Sequence, residues 1–160
     1  MSQSAVKCHK VTGKVMFRGR SRHTLDEKGR LAIPTRFRET LKSKGDSCLV
    51  LTNHFSCLWA FAREDWKAIE EEAVKLPKMD AKVHTYLRYF ISGGQECFVK
   101  QGRITIPPDL REISNLKKEV VLVGGLKFFE IWDKEKWEKE FEKAKSDFPE
   151  VSQTLSGLGF

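Results

Sequence analysis

Hydrophobic residues fall in short, bounded runs along this chain. CLVL (48–51), CLWAF (57–61), VVLV (120–123) and FFEIW (128–132) are apolar stretches of four or five residues, set off by Gly, Asn and Asp. Runs of that length and composition predict strands. Elsewhere the spacing turns helical. EDWKAIEEEAVKL (64–76) places Trp66, Ile69 or Ala73, and Leu76 on one stripe. DKEKWEKEFEKAKSDF (133–148) does the same with Trp137, Phe141 and Ala144. Both predict charged, amphipathic helices. A third helical pattern, MDAKVHTYLRYFI (79–91), runs through Val83, Leu87 and Phe90 and is placed to join two halves.

Two halves exist because the pattern repeats. GRLAIPTRFRE (29–39) and GRITIPPDLRE (102–112) share Gly, Arg, Ile, Pro, Arg and Glu at identical positions. At the same offset Phe17 matches Phe90 and Leu25 matches Phe98. Downstream the apolar runs answer one another in order, and Trp66 answers Trp137. Each half reads as strand, tight turn, strand, short helix, strand, loop, strand, helix. The short helices are placed at Pro34 and at Pro107 or Pro108, since proline suits a first helical turn. Neither half has enough strands to cover its own sheet, and no Gly/Ser- or Pro-rich linker separates them. The expectation is a β-dominated α+β fold with flanking helices, its two pseudo-repeated units interleaved into one β structure. The segments are an N-terminal extension at 1–15, expected to be disordered, unit 1 at 20–68, a helical connection at 69–92, unit 2 at 93–137, and a helix end and tail at 138–160.

Charge adds a direction. Residues 1–38 hold ten Lys and Arg against only Asp26 and Glu27, while the rest of the chain is close to neutral. A basic excess confined to one quarter suggests a polyanionic partner; a solubilising cluster is the plainer alternative. Cys8, Cys48, Cys57 and Cys97 form no C-x-x-C pair, and His9, His23, His54 and His84 are scattered. No metal site, cofactor site or catalytic motif is expected, and the cysteines read as buried apolar groups. The N-terminus is too polar for a secretory signal, and no apolar stretch approaches the roughly 20 residues that cross a bilayer. A cytoplasmic protein that does not meet the membrane is expected.

The tight turns carry the candidate chemistry. In Leu25-Asp26-Glu27-Lys28-Gly29-Arg30, Asp26 can accept backbone N–H groups inside the turn and Gly29 can supply a positive φ. In Phe98-Val99-Lys100-Gln101-Gly102-Arg103 the glycine and the basic tip remain, but Val99 replaces the aspartate. That turn is expected to be the less rigid one. Arg30 and Arg103, backed by Lys28 and Lys100, are candidates for contact with phosphate or base edges, because a guanidinium fork can donate two hydrogen bonds at once. Pairing of Arg30 with Asp26 is the competing structural role. Arg18, Arg20 and Arg22 have no counterparts in unit 2 and are further phosphate-contact candidates. Arg38 and Arg111 are expected to form ion pairs with Glu39, Glu112 or a nearby acid. The four tryptophans are expected to pack in the core.

The string Met16-Phe17-Arg18-Gly19, then Leu25-Asp26-x-Lys28-Gly29-Arg30-Leu31-x-Ile33-Pro34-x-Arg36-x-Arg38, resembles the start of MraZ proteins. Gly102-Arg103, Ile106-Pro107, Leu110-Arg111, Val121-Leu122-Val123-Gly124 and Glu130-Ile131-Trp132-Asp133 are similar to later parts of that family. The resemblance spans about residues 16–145. It implies two AbrB-like units, association into a ring, and binding of repeated double-stranded DNA sites upstream of the division and cell-wall gene cluster, the protein's own promoter included. It also implies a cytoplasmic, nucleoid-associated transcription regulator, not an enzyme, with an Asp-x-x-x-Arg motif in each unit facing DNA. Asp26 and Arg30 match the first motif; only Arg103 matches in the second. RNA binding, or recognition of an acidic protein by the same basic surface, are the alternative functions.

Overall fold

The computed structural model describes residues 16–159, so the extension at 1–15 lies outside the described residues. The elements are β1 (Arg20–Thr24), β2 (Arg30–Ala32), α1 (Thr35–Ser43), β3 (Cys48–His54), β4 (Cys57–Ala62) and α2 (Arg63–Val74). Next comes α3 (Ala81–Tyr86), which runs into a π-helical turn at Leu87–Ile91. The order then repeats as β5 (Gln95–Phe98), β6 (Arg103–Thr105), α4 (Pro108–Ile113), β7 (Glu119–Gly124), β8 (Phe128–Asp133) and α5 (Lys134–Ser156). This is the β-dominated α+β arrangement with two repeated units. Pro34 precedes α1 and Pro108 opens α4, where a missing N–H costs nothing.

Six strands form one antiparallel sheet in the order β1-β7-β8-β4-β3-β5, and β2 pairs with β6 in a separate two-stranded ribbon. Exchanging equivalent strands of the two units turns this order into its own reverse. A pseudo-two-fold axis therefore passes between β4 and β8, where Trp59 faces its counterpart position, Glu130. It also passes through the ribbon, where Leu31 faces its counterpart Ile104. Neither β1 nor β2 has a partner in its own unit: β1 pairs with β7 and β2 with β6. Interleaving is how each short strand satisfies its backbone hydrogen bonds.

Each sheet face carries its own core. One face holds Leu49, Leu51, Leu58, Ala60, Leu122, Phe129 and Ile131, covered by Leu31 and Ile104 of the ribbon, Phe37 and Leu41 of α1, and Leu110 of α4. The rings of Phe17 and Phe37 from unit 1 and Phe129 from unit 2 meet at 4.8 to 5.4 Å between centroids. Burial of each is worth about 1.5–3 kcal/mol, and much of it is gained only when both units are present. The other face gathers Val50, Phe61, Trp66 and Phe90 under α2 and the π-helical turn.

Two sequence matches do not translate into matched positions. Phe17 is fully buried in extended chain bridging Leu126, whereas Phe90 lies on the π-helical turn over the opposite sheet face. Leu25 is buried, but Phe98 is half-exposed at the sheet edge with the Arg63 guanidinium 5.6 Å over its ring. The fourth tryptophan also departs from expectation: Trp66 and Trp132 are buried, Trp59 is partly buried, and Trp137 is only half-covered on α5. Finally, α5 runs to Ser156, well past the 133–148 pattern that predicted it.

Candidate nucleic-acid interface

The ribbon presents one apolar and one polar face, as strand alternation requires. Leu31 and Ile104 point inward and are buried, while Arg30, Ala32, Arg103 and Thr105 alternate outward. The register sets Arg30 opposite Thr105 and Ala32 opposite Arg103. Directly opposed residues share a face. Arg30 and Arg103 therefore stand on the same outer face, related by the pseudo-two-fold axis.

The first turn is organised by one carboxylate. Asp26 Oδ1 accepts the backbone N–H groups of Lys28 at 2.9 Å and Arg30 at 2.8 Å. Its Oδ2 accepts Arg30 Nε at 2.5 Å. The N–H of Arg30, ahead of its guanidinium and of the Lys28 N–H, holds the Asp26 carboxyl below the usual carboxylate range. The competing structural role for Arg30 is thus real, but it uses only Nε. The two Nη groups make no hydrogen bond among the described residues, and the side chain is 40% exposed. The ion pair aims the guanidinium and leaves its forked end open.

The second turn has a different geometry. Lys100 and Arg103 exchange both backbone hydrogen bonds, at 2.8 and 3.0 Å. Gln101 and Gly102 take φ of 53° and 74°, the signature of a two-residue type I′ turn. Val99, standing where the first turn has Asp26, falls outside this turn and packs against the core. The expectation of a looser copy of the first turn is replaced by a shorter turn closed through backbone alone. Among the described residues, Lys28, Lys100 and Arg103 make no side-chain hydrogen bond or ion pair.

Arg38 and Arg111 correct another expectation. Neither forms an ion pair among the described residues. Arg38 Nε donates to Ile33 O and Arg111 Nε to Ile106 O, each at 3.0 Å. Each then lies across the turn glycine of the other unit. A Cβ on Gly29 would stand 2.6 Å from Arg111 Cζ, and one on Gly102 would stand 3.3 Å from Arg38 Nη1. The backbone completes the lock, since Ile33 N donates to Gly102 O and Ile106 N to Gly29 O, both at 2.9 Å. Each glycine therefore supplies a positive φ and also the space for an arginine from the other half. Sequence reasoning missed this role, although glycine and arginine recur at the same spacing in both repeats, as Gly29 and Arg38 and as Gly102 and Arg111.

The remaining candidates are not gathered at the ribbon. Arg20 and Arg22 lie opposite Val123 and Val121, on the sheet face that α5 covers. The Arg20 guanidinium sits 4.8 Å over the Phe141 ring, and both arginines line a recess with Glu138 and Glu142. Arg18 is exposed just before β1. Arg36, absent from the sequence candidates, is exposed on α1 and donates to Arg20 O at 3.1 Å. Cys48, Cys57 and Cys97 are buried free thiols; Cys8 lies outside the described residues. Burial pushes the Cys97 thiol up to about 12. Among the described residues no His, Cys, Asp and Glu group could hold a metal ion, and no helix is long and apolar enough to cross a membrane.

Two interleaved α+β repeats joined by a basic-faced ribbon define a small two-unit protein with a duplicated turn site. The comparisons with known proteins narrow the class. The profile of the MraZ protein family, described as antitoxin-like, matches twice, over residues 16–89 and 90–157. The chain is 43% identical to the transcriptional regulator MraZ of Syntrophobacter fumaroxidans over 92% of its own length and 99% of the relative's. It is 41% identical to that of Heliobacterium modesticaldum and 39% identical to that of Ligilactobacillus salivarius, each over 88% of this chain and 96% of the relative. The chain belongs to the MraZ family, whose members here are named as transcriptional regulators and not as enzymes.

Proposed function

We propose that the protein regulates transcription by binding double-stranded DNA with the outer face of the β2–β6 ribbon. Arg30 and Arg103 contact base edges or phosphates, and Lys28 and Lys100 at the turn tips contact flanking phosphates. A two-stranded ribbon fits the major groove of B-DNA. The observation that carries the reading is the outward face itself: two arginines on one side of a two-stranded ribbon, with one oriented by Asp26 and its Nη groups unengaged. Arg20 and Arg22 are engaged toward α5 and are not included in the contact; Arg18 remains a flanking phosphate candidate.

The reading extends, through the family, to repeated sites upstream of the division and cell-wall genes, the protein's own promoter included. On it the protein acts in the cytoplasm at the nucleoid, as a ring-shaped homo-oligomer. Several identical ribbons on one scaffold raise the effective concentration at neighbouring sites, which favours spaced repeats over single copies. Two measurements of purified protein test this: affinity for a labelled duplex carrying its own upstream region, and affinity for a scrambled duplex. A preference for the upstream duplex that Arg30→Ala abolishes is expected. Equal binding of both duplexes at moderate salt would refute the autoregulatory reading and bring RNA or an acidic protein forward as the partner.

A further inference from the structure

We propose that Thr105 is a base-selecting residue that makes the ribbon read its DNA unequally on two sides: its hydroxyl selects a base across from Arg30, where Ala32 can select none across from Arg103. The inference rests on the DNA reading above and names a source of sequence preference within it.

The outer face of the ribbon is a patch of four side chains. Arg30 stands opposite Thr105, and Ala32 stands opposite Arg103. Opposed residues have Cβ atoms about 4.5–5.5 Å apart, and same-face neighbours along a strand are about 7 Å apart. Such a row spans about two base steps of about 3.4 Å each. The exchange of units that carries Arg30 onto Arg103 also carries Ala32 onto Thr105. One diagonal of the patch is therefore arginine at both corners, while the other is alanine at one corner and threonine at the other. The pseudo-two-fold is kept inside the ribbon, where Leu31 faces Ile104, and is broken outside it.

Ala32 and Thr105 are both exposed, so core packing dictates neither. Either methyl group can meet a thymine methyl in the major groove, but only threonine adds a hydroxyl that can donate to a base edge or accept from one. The Thr105 hydroxyl makes no hydrogen bond among the described residues. It also adjoins both arginines, across the ribbon and along the strand, and so sits at the centre of the patch and not at a turn tip. A short side chain at the centre of a ribbon laid in the groove meets bases, whereas Lys28 and Lys100 at the tips meet phosphates. A fully two-fold patch would prefer the same base on both strands about its axis; this patch would not.

Selection from a random double-stranded library, with the full chain, tests this. Wild type, Arg30→Ala, Thr105→Val and Ala32→Thr are compared, and circular dichroism verifies that each folds. Valine keeps the β-branch of threonine and removes only the hydroxyl. The Arg30→Ala selection marks the positions that depend on Arg30. The wild type is expected to enrich a motif that is unequal about its centre. Thr105→Val is expected to relax base preference next to the Arg30-dependent position by about threefold to tenfold, the scale of one neutral hydrogen bond. The salt dependence of its binding should match the wild type, because no phosphate contact is lost. Ala32→Thr is expected to add a preference on the opposite side. A Thr105→Val motif identical to the wild type, or a loss spread evenly over all sequences, overturns the proposal. Two results separate it from the reading beneath it. A wild type that enriches no sequence refutes sequence-specific DNA binding and this inference with it. A motif that Arg30→Ala erodes and Thr105→Val leaves intact overturns this inference alone.

Discussion

Asp26 is placed to set the geometry of the first turn, because two backbone N–H groups and one guanidinium converge on its carboxylate. Asp26→Ala should leave the core intact and let Arg30 wander. The expected result is DNA affinity lowered about tenfold, the scale of one charge-assisted hydrogen bond, with little change in the melting temperature. Anisotropy titration beside a thermal melt checks both halves of that statement. Two histidines set a pH response. Burial, with help from Arg36, holds His23 below its ordinary value, and burial does the same for His54. The unfolded chain therefore takes up protons more readily than the folded one. Stability should be full above about pH 6.5 and fall as the pH drops below it. Urea midpoints from pH 8 to pH 5 should show that decline, and His23→Gln should flatten part of it. A midpoint that rises toward pH 5 would contradict the assignment.

The ribbon is the element on which both site and fold depend. Its inner pair, Leu31 and Ile104, is almost fully buried at the pseudo-two-fold axis. Leu31→Ala should destabilise the protein by about 2–5 kcal/mol through lost burial and the cavity left behind, read from the shift in a urea midpoint. At this scale the sequence was informative but incomplete. The repeated GR-x-x-IP block placed both β-turn-helix elements, and the strand runs at 48–51, 57–61, 120–123 and 128–132 all became strands. The type of the second turn was not legible. Replacement of aspartate by Val99 says what is lost, but the alternative depended on Gln101 accepting a left-handed backbone. The bracing by Arg38 and Arg111 was equally hidden. A local reading pairs an arginine with the glutamate beside it, whereas these two reach turn glycines of the other unit. The placement of Arg20 and Arg22 depended on which face of an edge strand α5 would cover, and one sequence leaves that open.

On the scale of the whole molecule, interleaving makes the two units one cooperative structure. Every strand pairs with a strand of the other unit, and β1, β2, β5 and β6 pair with no strand of their own unit among the described residues. Separate fragments cut in the 69–92 connection should therefore show little structure alone and gain it on mixing. Circular dichroism of each fragment and of the mixture reads this directly, and a fragment that folds cooperatively by itself would contradict the interleaved account. The strand deficit of each half and the missing flexible linker anticipated this arrangement. The exposed length of α5 was not anticipated, since the helical pattern was followed only to Phe148.

The most direct measurement is the salt dependence of binding to the upstream duplex for wild type, Arg30→Ala and Arg22→Ala. Each phosphate contact contributes about one unit to the slope of log K against log salt. If the ribbon face holds the DNA, Arg30→Ala should bind more weakly at every salt concentration, lose its preference over scrambled DNA, and, where Arg30 meets phosphate, show a slope shallower by about one. Arg22→Ala should match the wild type. Unchanged binding for Arg30→Ala alongside a loss for Arg22→Ala would place the DNA on the β1–α5 face and contradict the account.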